Sequence, residues 1–171
     1  MDVTRSAPLL LAAFCGACAS TGAVPRPFPT PGLTGPPAGA SAPASPVASH
    51  FDGYALVGTA LSFRGVPYRD GGSDPHGFDC SGFTQYVFAQ YGVALPRGVK
   101  EQFGKGRAVN PDEVAPGDLI FFSTIAPGPT HVGIAIGGDA FVHAPSSTGV
   151  VRVERLGSSY WAPRYIGARR L

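Results

Sequence analysis

The sequence predicts an α+β domain, with helices first and an antiparallel sheet after them, from three observations. Apolar residues recur at helical spacing in residues 51–64 and 80–91. Short apolar runs of strand character, at residues 119–122, 132–136, 141–143, 150–153 and 165–168, all come later in the chain. The 171 residues suffice for one domain with tails, not for two.

Taken in order, residues 51–64 carry Leu56, Val57, Ala60 and Leu61 on one face, and Gly65 with Pro67 ends that helix. Residues 65–77 are dense in Gly, Pro and Asp and read as a loop. Asp79 then serves as an N-cap, its carboxylate able to accept the free N–H groups of a helix that begins at Cys80. Phe83, Val87 and Tyr91 recur at i, i+4 and i+8, and Gly92 stops the helix. Residues 99–103 form a short helical piece. A turn at 112–118 feeds the buried strand 119–122, and a loop with Pro127 and Pro129 follows. Val132, Ile134 and Ile136 alternate with small residues, Gly138-Asp139 makes a turn, and Phe141-Val142-His143 returns. That hairpin puts His131 and His143 on neighbouring strands. Residues 150–153 and 165–168 add strands, with Trp161 between them.

The amino-terminal third has a different composition. Arg5 precedes an uncharged apolar run, residues 7–17, which ends in small residues and reads as an export signal too short to span a bilayer. Residues 24–49 are Pro, Gly, Ala, Ser and Thr with almost no charge, the composition of a linker that cannot bury enough surface to order itself. The layout is therefore a signal at 1–18, a linker at 19–49 and a domain at 50–171, with His50 an exposed residue at the junction. A net charge of +2 gives no reason to expect a nucleic-acid partner.

Cys80 is the residue on which the chemistry turns. At a helix start the positive end of the dipole favours a thiolate, which makes Cys80 a candidate nucleophile; a small buried hydrophobe is the alternative. An unpaired cysteine in an exported protein is an oxidation liability, which favours the chemical role. A cysteine at a helix start and a histidine on a facing strand form the thiolate–imidazolium pair of papain-like hydrolases, with a third polar group orienting the ring. His131 and His143 can fill those two places, and the first N–H groups of the Cys80 helix can help hold an oxyanion. Tyr68, just before this helix, either packs or donates its phenol hydrogen near the nucleophile. His76, beside Pro75 in a loop, is poorly placed for an oriented base. A zinc site is the other use of Cys, His and His, but the close ligand pairs typical of zinc are missing, so no metal is expected.

These residues resemble the NlpC family of cell-wall cysteine peptidases. Asp79-Cys80-Ser81-Gly82-Phe83, His131-Val132-Gly133-Ile134 and Phe141-Val142-His143-Ala144 are similar to its three blocks. Val66-Pro67-Tyr68 with Gly71-Gly72, Leu95-Pro96-Arg97 and Pro116-Gly117-Asp118-Leu119 match its intervening pattern, over residues 53–171 in all. The resemblance implies a papain-like fold in which Cys80 is the nucleophile, His131 the base, His143 its orienting residue and Tyr68 a group lining the site. It implies no cofactor. Gly98 departs from the Ser or Thr usual after Pro-Arg, which should weaken a helix cap.

The tail, from Gly149-Val150-Val151 through Tyr160-Trp161 to Ala168-Arg169-Arg170, resembles the Spr-type murein endopeptidases of Gram-negative bacteria, which are lipoproteins. Gly16-Ala17-Cys18 resembles a lipoprotein processing site with Cys18 as the acylated residue, although Cys15 stands where leucine is usual. Together these imply hydrolysis of peptidoglycan at the D-alanyl–diaminopimelate cross-link, with the γ-D-glutamyl–diaminopimelate bond as the alternative. They also imply export, a lipid anchor in the outer membrane, a periplasmic site of action and control by a regulatory adaptor or protease. A non-catalytic wall-binding lipoprotein, the remaining alternative, would be expected to have a damaged triad.

Overall fold

The computed structural model describes residues 52–171. The readings made above for the signal, the linker, Cys15, Cys18, His50 and Phe51 lie outside the described residues. Helix α1 (Gly53–Ser62) is capped by Asp52, whose side chain accepts from the Tyr54 N–H at 2.9 Å, and it buries Leu56, Val57 and Ala60. It is shorter than the sequence suggests, because Phe63 already serves as its C-cap. The following loop contains a two-residue hairpin, β1 (Ser73–Asp74) and β2 (Gly77–Phe78). Helix α2 (Cys80–Ala89) comes next, then α3 (Val99–Phe103). Tyr91 lies beyond the end of α2 rather than in its stripe; its hydroxyl bonds Thr59 Oγ1 at 2.7 Å, tying the α2 exit to α1.

The remaining strands form a six-stranded antiparallel sheet in the order β3-β8-β4-β5-β6-β7. They are β3 (Arg107–Val109), β4 (Leu119–Phe122), β5 (His131–Gly137), β6 (Ala140–His143), β7 (Arg152–Arg155) and β8 (Tyr165–Arg170). Strand β4 reads as an unbroken apolar run because both its faces are covered. Leu119 and Phe121 join Val132, Ile134 and Val142 against the helices, whereas Ile120 and Phe122 join Ala135, Phe141 and Trp161 on the other face. Each such buried side chain stabilises the fold by about 1.5–3 kcal/mol relative to exposure.

Two elements differ from the sequence reading. Strand β7 begins at Arg152, two residues later than expected, because Val150 and Val151 pair with the loop after α1 instead. There the Val151 N–H donates to Val66 O at 2.8 Å, and Gly65 N–H to Val151 O at 2.9 Å. Strand β3 was unexpected; it exists through its pairing with β8, where Arg107, Ala108 and Val109 face Arg170, Arg169 and Ala168.

Candidate active site

The first turn of α2 is clamped by polar groups. Asp79 caps it, its Oδ1 accepting from the Gly82 N–H at 2.7 Å. Arg97 grips the same carboxylate through both oxygens and donates to Ser81 Oγ at 2.8 Å. Gln102, fully buried, donates to Ser81 O at 3.0 Å and to Pro96 O at 2.8 Å while accepting from Thr84 Oγ1 at 2.7 Å. Gly82 must lack a side chain, since a Cβ there would lie 2.0 Å from the Gly72 carbonyl oxygen. Helix α3, by contrast, starts at Gly98 with no side-chain cap.

Cys80 is partly buried on this clamped turn. The backbone N–H groups of Val132, Ser81 and Cys80 itself favour the thiolate, as the helix-start argument expects. Burial opposes them and is the largest influence, and the neighbouring Asp79 carboxylate adds to it. The thiol is therefore pushed up from its ordinary value, not down as the dipole alone would have it. Such a sulfur needs a base to take its proton. The Val132 contact also locates it beside the start of β5, whose first residue is His131.

His131 opens β5 and His143 closes β6, and their rings meet with Nε2 of His131 2.7 Å from Nδ1 of His143. Gly133 permits this approach: a Cβ there would stand 2.9 Å from Val142 O and 3.1 Å from His143 Cβ. The rings are buried, His143 completely, in an aromatic enclosure. Trp161 stacks on His131 at 5.4 Å between centroids and meets His143 edge-on at 5.0 Å; Phe141 lies 4.8 Å from His143. Burial pulls His131 down to about 4. His143 is drawn to about 2 by burial, with His131 and Arg152 adding to the effect. Both rings are thus neutral at neutral pH and share one proton between the facing nitrogens.

Tyr68 packs on the helix-side core, and its phenol is raised by burial and by the charges of Asp70, Cys80 and Asp79. It stays protonated and is able to donate. His76 is 91% exposed and bound to Asp74, apart from the other site residues in its bonding. Among the described residues, no three His, Cys, Asp or Glu side chains converge as metal ligands. Three participants escaped the sequence reading. Gln102 looks like a solvent-facing residue in Val-Lys-Glu-Gln-Phe. Arg97 was legible only as part of a motif. Glu154, 4.0 Å from His143 Nε2, emerges only once the β6–β7 register is known.

Residues 65–170 match the NlpC/P60 family. Over 110 residues the chain is 44% identical to the murein DD-endopeptidase MepS/murein LD-carboxypeptidase of Escherichia coli (strain K12), covering 64% of this chain and 57% of that protein. It is 42% identical over 120 residues to the gamma-DL-glutamyl hydrolase of Bacillus subtilis (strain 168), covering 68% of this chain but 29% of the relative. The chain thus spans little more than half of one of these relatives and under a third of the other. Among solved structures, an NlpC/P60 family protein from Bacillus cereus ATCC 10987 superposes with a TM-score of 0.66 at 34% identity, over 70% of this chain and 40% of that one. The NlpC/p60 domain of the peptidoglycan hydrolase SagA gives 0.63 at 34% identity, over 71% of this chain and all of that one, 100%.

Proposed function

The chain belongs to the NlpC/P60 family, and from that premise we propose that it is a peptidoglycan endopeptidase working through Cys80, His131 and His143. The observation that carries the reading is the buried imidazole pair at 2.7 Å, held on β5 and β6 where the Cys80 helix packs against β5. In the reaction His131 takes the thiol proton at Nδ1, and the thiolate adds to the scissile carbonyl. The first N–H groups of the Cys80 helix and the Tyr68 phenol are the donors proposed for the oxyanion. His131 then returns the proton to the leaving amine, and water releases the acyl group from sulfur by the same route in reverse. His143 holds the His131 ring through the Nε2–Nδ1 bond. A raised thiol and a depressed imidazole leave the resting pair neutral, so the ion pair forms as substrate arrives.

The D-alanyl–diaminopimelate cross-link is the proposed bond, supported by the likeness to MepS along the chain. The γ-D-glutamyl–diaminopimelate bond is the second reading, supported by the 42% identity to a gamma-DL-glutamyl hydrolase. We place the enzyme outside the cytoplasmic membrane, with Cys18 lipidated, residues 19–49 as a tether from an outer-membrane anchor and residues 50–171 as the peptidase domain. An adaptor or protease restrains it.

Digestion of defined muropeptides by the full chain, with Cys80→Ala alongside and products read by mass spectrometry, tests the reading. Cross-linked dimers converted to monomers, but not by the variant, support the first bond. Release between D-glutamate and diaminopimelate supports the second. No cleavage of either, with Cys80 inert to a thiol alkylator, leaves a wall-binding protein. Radiolabelled palmitate incorporation, lost in Cys18→Ser, tests the anchor.

A further inference from the structure

The imidazole pair leaves one polar atom without a partner. His143 is 0% exposed, its Nδ1 is engaged with His131, and its Nε2 has no hydrogen-bond partner. The carboxylate facing that nitrogen belongs to Glu154, with Oε1 at 4.0 Å. Sheet register explains the placement. His143 faces Arg152 and Phe141 faces Glu154 across β6–β7, so His143 and Glu154 share one face of the sheet, one diagonal apart. Both oxygens of the carboxylate are fixed, Oε1 by Arg152 Nε at 3.0 Å and Oε2 by the indole N–H of Trp161. Trp161 is the ring that stacks on His131 and abuts His143. One carboxylate therefore sets both the electrostatics and the packing of the pair.

We infer that Glu154 is a positioning residue of the centre, drawing the His143 proton to Nε2 so that Nδ1 accepts from His131. The inference rests on the roles proposed above for Cys80, His131 and His143. With His143 in that tautomer, His131 carries its own hydrogen on Nε2 and keeps the Nδ1 lone pair for the Cys80 thiol. The opposite tautomer would aim a buried lone pair at an anion. When the S–H bond of Cys80 breaks, its proton goes to His131 Nδ1. His131 becomes an imidazolium that still donates from Nε2, His143 stays neutral, and no proton reaches Glu154. The charged groups facing His143 are His131 when protonated, Arg152 and Glu154. Of these only Glu154 favours a positive charge on the pair.

Nitrogen-15 NMR of the full chain tests this without turnover. The expected parent spectrum has His143 Nε2 as the N–H nitrogen and Nδ1 as the acceptor. Glu154→Gln keeps an acceptor for Trp161 but removes the charge. It should mix the tautomers and move the acid limb of the kcat/KM profile, where His131 takes up a proton, to lower pH. At the parent optimum, kcat should fall about tenfold, the factor carried by one pKa unit, with KM nearly unchanged. Glu154→Asp should recover part of the loss. A parent His143 protonated on Nδ1, or a Glu154→Gln protein with the parent tautomer and the parent acid limb, overturns the inference. Cleavage that survives in Cys80→Ala would instead sink the catalytic reading and leave the tautomer result standing. Should Glu154→Ala fail to fold for want of its Trp161 bond, the Gln variant still decides.

Discussion

Cys80 stands among hydrogen-bonded polar groups, whereas His131 and His143 stand among aromatic rings. On the thiol side Asp79, Arg97, Ser81, Thr84 and Gln102 form a connected network that pins one helical turn. On the imidazole side Trp161, Phe122 and Phe141 surround two rings that are hydrogen-bonded to each other. The difference has a chemical reading. Directional bonds fix where the sulfur points but bring an anion, Asp79, that resists the thiolate. Apolar rings fix imidazole planes by shape and, by excluding water, keep them neutral, with a lone pair open to a nearby proton. Neither the thiol nor the imidazole pair is charged at rest, and each supplies what the other needs to become so.

The largest effects should come from removing either half. Cys80→Ala and His131→Ala should each lower kcat/KM on cross-linked muropeptides by about 10³–10⁴-fold or more, and the double variant should be little worse than either alone. Multiplicative losses in the double variant would mean that the halves act independently. The next effect separates the two materials by stability. Trp161→Ala opens the aromatic side and should cost about 3–5 kcal/mol in urea unfolding. Gln102→Ala, which removes an acceptor from Thr84 and a donor from the Ser81 and Pro96 carbonyls, should cost about 1–3 kcal/mol.

Acid should act on the imidazole side first. Both histidines have depressed folded-state values, His131 at about 4, against about 6.5 when unfolded. Below pH of about 6.5 the unfolded chain takes up protons that the folded chain refuses, so stability is full above that pH and declines as pH falls toward 4. The loss should be on the order of 2 kcal/mol per histidine by pH 5, and His143→Gln should flatten the slope of melting temperature against pH. A stability unchanged between pH 7 and 5 would mean that the rings titrate normally. The smallest effect belongs to His76, whose replacement by Ala should change stability by less than about 0.5 kcal/mol and leave turnover intact.

What was legible in the sequence follows the same division. The α2 cap and the histidine hairpin could be read because their signals are local: Asp79 stands next to the helix it caps, and Gly138-Asp139 sits between two alternating runs. Helix α3 was legible within its own five residues. Strand β3 was not, since its partner β8 lies at the far end of the chain and its own three residues show no alternation. Strand β7 was misplaced because Val150 and Val151 look like strand residues, yet Val151 bonds to the loop after α1 and Val150 bridges Pro67 in it. The elevated thiol was missed because a helix dipole is visible in a sequence, while burial and a close carboxylate are properties of the packed state. Gln102 and Glu154 share that fate: their polar character suggests solvent, and their partners are assigned by tertiary register.

Cys80 rides on α2 and His131 on β5, and the two approach only where that helix docks on that strand. While the chain is unfolded it carries an ordinary thiol and ordinary imidazoles with no fixed acquaintance. Competence to cut thus arrives in a single event with tertiary structure, and it disappears in the same event when the domain melts. Under the proposed role at a load-bearing polymer, folding itself is the safety catch: the unfolded chain is disarmed, and it arms itself only where it folds.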